Sequence, residues 1–289
     1  MIKSERVCAF LCGARRLWSE AHTDPVTQLG FALSVTGIVF GLAFLAGSLV
    51  TGPRTVQASL QRLGYDLTEV RGGEPVAPVF LARLPGDLEE IQSVDTRKDV
   101  FFRIMLPVVL RENARVWTLR QQIHKDPGSI EAEVYERYGV DEGDAKKLLL
   151  RVDTVPPSLV LAQAAIESGW GTSRFVKVAN NLFGHRTYDD EVAGVAPKGV
   201  DDPDFKVREF NGIAASVRAY IDNLNTHPAY AGLRRARAAL RRTGKRPDGV
   251  SLARELGRYS ERGGEYVQQV IRVIRQNNLL DFDEARLGS

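Results

Sequence analysis

Apolar residues recur with a helical period over most of the chain after residue 95. Between residues 211 and 225, one apolar stripe predicts a helix and contains Ile213, Val217, Tyr220, Ile221 and Leu224. Similar patterns predict helices over 130–138, 142–150, 158–168, 172–179, 230–242, 251–256 and 265–277. Another helix is predicted to begin at Asp95 or Thr96, and Pro107 is expected to kink or divide it.

The stretch from Leu182 to Phe210 interrupts this helical pattern. It contains five glycine or proline residues, at positions 184, 194, 197, 199 and 203, which predict short strands and loops. The pair Asn180-Asn181 just before it is typical of a helix end. The sequence therefore predicts a mainly α domain with a small β insert.

An uncharged apolar run occupies residues 29–50. As a helix it would be about 33 Å long, which is enough to cross a bilayer core of about 30 Å. We interpret it as an uncleaved transmembrane helix. A buried helix of a soluble protein and a cleaved signal peptide, with small residues near positions 46–48, are the alternatives.

The charges around this run predict its orientation. Four cations precede it, at positions 3, 6, 15 and 16, whereas only Arg54 and Arg62 follow closely. The positive-inside rule then places the N-terminus in the cytoplasm. We predict a cytoplasmic tail (1–28), a transmembrane anchor (29–50), a linker (51–75) and an outer domain (76–289) of a single-pass protein of the cytoplasmic membrane.

Composition mainly excludes classes of partner and cofactor. A net charge of +3 is too small to predict a nucleic-acid partner. The cysteines, Cys8 and Cys12, lie before the anchor, and the four histidines show no metal-ligand spacing, so we expect no cofactor or metal. The basic run 234–246 places Arg234, Arg237 and Arg241 on one helical face, predicted to be solvated or to attract anionic glycans, wall polymers or lipid headgroups.

Glu167 is the residue with the clearest chemical signal. It lies at the end of the predicted helix 158–168, which is apolar nearly all round and therefore predicted to be buried. Burial raises the pKa of a carboxyl group, and a protonated carboxyl can donate its proton to the leaving oxygen of a glycoside. The alternative is a structural ion pair with Arg174. Trp170, in the following Gly-Trp-Gly turn, is suited either to stacking on a sugar or to core packing.

Two strings carry a resemblance to a known family. Glu-Ser-Gly-Trp-Gly at 167–171 and Asn-Asn-Leu-Phe-Gly at 180–184 resemble the bacterial glucosaminidase family, glycoside hydrolase family seventy-three. Further similar strings, at 97–102, 106–110, 155–165 and 259–266, point to its Bax-type branch of bacterial envelope proteins. The similarity covers residues 76 to about 280. It implies a lysozyme-like fold and cleavage of the β-1,4 bond after N-acetylglucosamine in the glycan strands of peptidoglycan.

The resemblance also implies roles for individual residues. Glu167 matches the family's general acid, and Tyr259 matches a tyrosine close to it that positions the acetamido group or a water. Trp170, Asn181 and Phe183 are expected to line the cleft. Three of these residues also have a structural alternative: Tyr259 as a core tyrosine, Asn181 as a helix cap and Phe183 as a core phenylalanine. Tyr266 and His185 are also expected to contact substrate. The alternative for His185 is a solvent-exposed loop histidine.

The sequence departs from the family at the second carboxylate. Family members often carry a Thr-x-Glu string on the β insert, and this chain has none. We take Asp202 as the candidate base of an inverting reaction, and a substrate-assisted route remains open. Two other functions also remain open. One is a lytic transglycosylase, and the other is a non-catalytic glycan-binding module of the envelope. Protein partners are not predicted.

Overall fold

The chain is described by a computed structural model covering residues 49–50, 55–197 and 204–288. The α-helices are α1 (Val56–Leu63), α2 (Leu67–Arg71), α3 (Val94–Lys125), α4 (Ala132–Arg137), α5 (Ala145–Arg151), α6 (Pro157–Ser168), α7 (Arg174–Ala179), α8 (Ile213–Thr226), α9 (Ala231–Arg242), α10 (Gly249–Ala253) and α11 (Gly264–Gln276). The strands are β1 (Leu49–Val50), β2 (Phe80–Leu81), β3 (Arg186–Thr187), β4 (Gly194–Val195) and β5 (Lys206–Arg208). Short 3-10 turns occupy Leu88–Glu90, Pro127–Ser129, Pro228–Tyr230 and Leu279–Glu284.

Helix α6 lies at the centre of the helical domain. Every residue of α6 from Pro157 to Ala165 is buried. It contacts α3, α10, α11 and the 3-10 turn Leu279–Glu284. A helix that is apolar on all sides needs neighbours on all sides, so the predicted buried helix is confirmed. The predicted mainly α architecture is confirmed as well.

The predicted β insert is present and forms a small antiparallel sheet. Strand β5 is central, with β3 on one side and β4 on the other. Helix α7 ends just before this insert at Asn180, which adopts the left-handed conformation at φ 51°. Asparagine tolerates this conformation better than most residues, so the predicted end signal is confirmed.

Pro107 lies inside α3 and does not divide it. Proline has no backbone N–H, so the carbonyl of Arg103, four residues earlier, loses its helical partner. The hydroxyl of Tyr65 donates a hydrogen bond of 2.5 Å to that carbonyl. A side chain from outside the helix therefore replaces the missing bond, which explains why the predicted division does not occur.

The predicted linker at 51–75 is wrong over the part that the structure describes. Residues 56–71 form α1 and α2, and the side chains of Leu63, Tyr65, Leu67 and Val70 are buried in the core. Both helices have side-chain N-caps, Thr55 for α1 and a capping box at Asp66 for α2. The segment is too short for a clear periodicity, and its burial depends on α3. The domain therefore begins before residue 76.

The predicted transmembrane span lies outside the described residues except at its end, where Leu49–Val50 form β1 and pair in parallel with β2. Within the part of the chain that is described, no helix has the length and apolar character needed to cross a membrane.

The basic face of α9 differs from the prediction of a solvated surface. Arg234 and Arg237 are 4% and 0% exposed. Arg237 donates hydrogen bonds to the backbone carbonyls of residues 150, 151, 153 and 154. Arg241 forms a bidentate pair with the carboxylate of Asp153, with both distances at 2.6 Å. Arg237 is buried because it satisfies carbonyl groups at and just after the end of α5, and Arg234 does the same for the carbonyls of Leu224 and His227 at the end of α8.

Candidate active site

The last turn of α6 and the residues after it set the position of Glu167. Gly169, Trp170 and Gly171 all adopt positive φ values of 58°, 60° and 80°. The N–H of Trp170 donates to the carbonyl of Ala165, and the N–H of Gly171 donates to Oγ of Ser168. A Cβ on Gly171 would lie 2.6 Å from a methyl group of Leu84, so only glycine fits there. The chain thus turns sharply away and leaves the Glu167 end of the helix uncovered.

Glu167 is half-buried and its pKa is raised from 4.5. Burial raises the pKa, while a hydrogen bond from Tyr266 and the charge of Arg262 lower it. Among the described residues, Glu167 has no salt-bridge partner, and Arg174 instead donates to the carbonyl of Ala196. The predicted alternative of an ion pair between Glu167 and Arg174 is therefore wrong.

A chain of hydrogen bonds leads from the core to Glu167. The hydroxyl of Tyr220 donates to Oε1 of Gln163, and Nε2 of Gln163 donates to the hydroxyl of Tyr266 at 2.8 Å. The hydroxyl of Tyr266 in turn donates to Oε1 of Glu167 at 2.7 Å. Gln163 and Tyr220 are both 0% exposed. Because each group holds the next, the carboxyl of Glu167 is fixed in one orientation.

Tyr259 lies beside this series of hydrogen bonds but is not part of it. Its ring stacks on that of Tyr266, with centroids 5.4 Å apart and planes 6° apart. Its hydroxyl lies 3.5 Å from the carbonyl oxygen of Phe183, at the limit of a hydrogen bond. Tyr230 is a further neighbour, with its ring 6.1 Å from that of Tyr259. Tyr259 therefore stacks on Tyr266, and it is Tyr266 that contacts Glu167.

The Asn-Asn-Leu-Phe-Gly turn is held by its own side chains. Asn181 accepts from the N–H of His185 and donates to the carbonyls of His185 and Arg208. Phe183 stacks on Tyr220 with ring centroids 4.1 Å apart. Asn181 therefore anchors the β insert to the helical domain. Phe183 connects the Asn-Asn-Leu-Phe-Gly turn to Tyr220, the first residue of the hydrogen-bond chain that ends at Glu167.

His185 is not the exposed loop residue given as its alternative. Its ring lies between those of Phe183 and Phe210, at centroid distances of 6.2 and 5.9 Å. Burial and the charge of Arg208 lower the pKa of His185 to about 4, so the ring is neutral at pH 7. Its Nδ1 atom is buried without a hydrogen-bond partner in the described structure.

Trp170 is held by two phenylalanines. Its ring makes edge-to-face contacts with Phe101 and Phe102, at centroid distances of 6.1 and 5.5 Å. The ammonium group of Lys98 lies 5.4 Å from the ring centre. The ring is partly exposed. Core packing of Trp170 is therefore observed, and stacking on a sugar remains a prediction.

The second carboxylate stays a prediction, because Asp202 lies in 198–203, outside the described residues. Of the other acids on the insert, Asp190 pairs with Lys206 at 2.9 Å, and Asp189 accepts from the N–H of Glu191. Over the described ranges, no group of three or more histidine, cysteine, aspartate or glutamate side chains is arranged to hold a metal ion.

Gln163, Tyr220 and Tyr230 are site residues that sequence reasoning missed. Gln163 precedes Glu167 by four residues and therefore shares its helix face, which is a signal that the spacing contains. The sequence predicts Tyr220 only as part of the apolar stripe of α8. Its hydroxyl reaches the site from a helix 57 residues away, a contact that no local pattern predicts.

Comparison with known proteins assigns the chain to a family. The family model described as mannosyl-glycoprotein endo-beta-N-acetylglucosaminidase matches residues 143–279, which include Glu167, Tyr259 and Tyr266. The protein named Protein bax of Escherichia coli (strain K12) is 32% identical over 209 residues, which cover 67% of this chain and 74% of that protein. The chain belongs to the glucosaminidase family, in its Bax-type branch. No solved structure gives a significant match.

Family membership supports the coarse function predicted from the sequence, a glycosidase related to peptidoglycan. The match begins at residue 143 and contains α6, the β insert and α11, which are the elements that form the site. Helix α3, which precedes the matched range, supplies the two phenylalanines that hold Trp170. The site therefore draws on residues from both parts of the domain.

Proposed function

We propose that this protein is an endo-β-N-acetylglucosaminidase that cleaves the β-1,4 bond after N-acetylglucosamine in peptidoglycan, with Glu167 as general acid. The observation that supports this most is the half-buried carboxyl of Glu167, whose pKa is raised by burial and whose Oε1 is held by Tyr266. A carboxyl that keeps its proton at neutral pH can deliver it to the glycosidic oxygen as the bond to C1 breaks. Tyr266 fixes the second oxygen of the same group.

The reaction at C1 has two candidate routes. In the inverting route, a base on the insert, with Asp202 as the candidate, takes a proton from the water that attacks C1. In the substrate-assisted route, the carbonyl oxygen of the 2-acetamido group attacks C1, and water later opens the resulting ring. Tyr259 lies beside Tyr266 and is suited by position to orient either the water or the acetamido group. The anomer formed first distinguishes inversion from the substrate-assisted route, which retains configuration.

The test uses the full-length protein, purified sacculi and mass spectrometry of the released muropeptides. We expect new reducing N-acetylglucosamine ends, and a loss of about 100-fold or more in rate for Glu167→Gln. The matched control is Glu136→Gln, which makes the same change at an exposed position of α4. The proposal fails if both Glu167→Gln and Glu136→Gln keep the wild-type rate.

The products also separate the other functions. Anhydro-muramic ends would identify a lytic transglycosylase, a chemistry that likewise uses one glutamic acid. Binding to sacculi without any bond cleavage, unchanged in Glu167→Gln, would identify a non-catalytic glycan-binding module. Either result would overturn the proposed hydrolysis.

We also propose that the domain acts on the outer side of the cytoplasmic membrane, held by residues 29–50. The uncharged run and the excess of cations before it support this orientation. Protease added to intact spheroplasts should digest the domain while leaving a protected N-terminal fragment. Complete protection of the domain in intact spheroplasts, with digestion after lysis, would show that the orientation is reversed.

A further inference from the structure

A groove separate from the Glu167 site is strongly basic. It has a volume of about 960 Å³ and lies between the C-terminal half of α3, helix α5 and the end of α9. We call it the basic groove. Its lining cations are Arg120, Lys146, Arg241, Arg242, Lys245 and Arg246, with His124 beside them. No aspartate or glutamate lines it among the described residues.

The basic groove lies near the opposite end of α6 from the candidate active site. Arg241 binds Asp153, which comes four residues before the start of α6, whereas Glu167 is next to the last residue of α6. A helix of 12 residues is about 18 Å long. The groove is therefore a second site, and its properties do not depend on the proposed hydrolysis.

The carboxylate behind the groove wall does not neutralise the positive charge of the groove. It belongs to Asp153, which three arginines share: Arg241 at 2.6 Å, Arg237 at 3.6 Å and Arg120 at 3.8 Å. Burial lowers the pKa of Arg237, but only to about 10, so it remains charged at neutral pH. Three positive charges on one negative charge leave an excess behind the groove wall.

The cations at the mouth add to this excess. Within the described part of the chain, Lys146, Arg242 and Lys245 have no salt-bridge partner, and all three are exposed. Arg246 pairs with Glu284 at 3.4 Å, but both side chains are largely exposed, so that pair is weak. A protein with a net charge of only +3 thus concentrates cations on one surface.

The groove also has an apolar wall. Trp117, Leu149, Leu150 and Ala238 contribute to its lining, and Trp117 is 42% exposed. The guanidinium of Arg241 lies 5.4 Å from the Trp117 ring centre and is held there by Asp153. Free phosphate or the phosphates of a wall polymer would contact only the cations and leave this wall in water. A ligand that carries phosphate next to apolar groups would use both.

We propose that the basic groove binds the headgroups of anionic phospholipids at a bilayer surface. Lysine and arginine bind the phosphate groups, and Trp117 enters the interfacial layer, where tryptophan is enriched in membrane proteins. The fixed Arg241 places one cation directly beside the indole. This contact would hold the helical domain against the membrane through a surface near the opposite end of α6 from Glu167.

The test measures binding of the full-length protein to two kinds of vesicle. One is phosphatidylcholine alone, and the other is equal parts phosphatidylcholine and phosphatidylglycerol. The readout is the ratio of the two partition coefficients, because the apolar run 29–50 contributes to binding in both vesicles. A second readout is the fluorescence of Trp117, obtained as the difference between wild type and Trp117→Phe.

The double variant Arg242→Glu/Lys245→Glu should reduce the ratio at least about 30-fold, since each basic residue near an anionic membrane contributes about 1 kcal/mol and the new carboxylates add repulsion. The matched control is Arg272→Glu/Arg275→Glu, which changes the net charge equally on the exposed side of α11 and outside the groove. Each pair includes one arginine from the last turn of a helix, so the helix-dipole cost is matched. The control should lower the ratio less than about threefold.

Three outcomes would overturn the proposal. The first is an equal loss in both double variants, which would indicate nonspecific attraction. The second is an unchanged ratio in Arg242→Glu/Lys245→Glu with a wild-type melting curve. The third is a Trp117 fluorescence change produced by millimolar inorganic phosphate alone, which would assign the groove to free phosphate. Retention of the ratio in Arg242→Lys/Lys245→Arg would support recognition by charge.

Discussion

Replacing Tyr266 with phenylalanine removes one hydroxyl that serves two neighbours at once. That hydroxyl donates to Oε1 of Glu167 at 2.7 Å and accepts from Nε2 of Gln163 at 2.8 Å. Tyr266→Phe keeps the ring and its stacking on Tyr259, so the change isolates the hydrogen bonds. It tests whether Tyr266 fixes the protonation and orientation of the candidate acid.

The expected cost follows from the two lost bonds. A hydrogen bond to a charged group contributes about 1.5–3 kcal/mol, and an unsatisfied buried donor costs about 1–3 kcal/mol. Gln163 is 0% exposed, so water cannot easily replace its lost acceptor. We expect the free energy of unfolding to fall by about 3 kcal/mol at a pH above the raised pKa of Glu167, where the carboxylate is charged. Well below pH 4.5, Glu167 is protonated and its bond is neutral, so the loss should be about 1 kcal/mol smaller.

The same substitution predicts a change in pH dependence. The hydrogen bond from Tyr266 lowers the pKa of Glu167, so its removal must raise that pKa further. The general acid then keeps its proton to higher pH, and the alkaline limb of the pH–rate profile should move upward. The maximal rate should fall, because the carboxyl loses the contact that orients it.

Urea unfolding at the two pH values and a pH–rate profile on sacculi measure these effects. Tyr135→Phe is the control, since Tyr135 is buried and its hydroxyl makes only a weak bond of 3.4 Å to the carbonyl of Pro127. It should cost less than about 1 kcal/mol at either pH. A loss below about 0.5 kcal/mol for Tyr266→Phe, or an alkaline limb that moves downward, would refute the reasoning.

Three further substitutions test other parts of the structure by urea unfolding. Because burial raises the folded-state pKa of Glu167, its protonated form stabilises the fold below the unfolded value of 4.5, and this stabilisation is lost as the pH rises through the raised value. Glu167→Gln, which stays neutral, should therefore gain stability relative to wild type as the pH rises; a constant difference would contradict this. Gly171→Ala should cost about 3 kcal/mol from strain at φ 80° and the contact with Leu84, whereas Gly143→Ala, at φ 85° in open space, should cost about 1 kcal/mol from strain alone. Equal losses would show that the contact does not matter. Asp153→Asn should cost about 3 kcal/mol, because Arg237 is fully buried and loses its counter-charge; a cost below 1 kcal/mol would show that the backbone carbonyls suffice.

The central helices and the β insert could be predicted from the sequence because their signals are local. The apolar stripe of α8 predicted 211–225, and the helix runs over Ile213–Thr226. Asn180 marked the end of α7, and glycine and proline residues marked the insert. Glu167 stood out for the same reason, since a titratable group at the end of an apolar helix is visible within one turn.

Only the tertiary structure decided which groups meet across long separations. Tyr65, in the predicted linker, donates to a carbonyl of α3 38 residues away, and α3 is not divided at Pro107. Tyr266 contacts Glu167 from 99 residues away, and the sequence alone did not show that this contact belongs to Tyr266 rather than Tyr259. Periodicity shows that a residue faces inward. It does not show which side chain lies opposite, because that depends on how separate helices pack, and at this site the packing determines the state of the proton on Glu167.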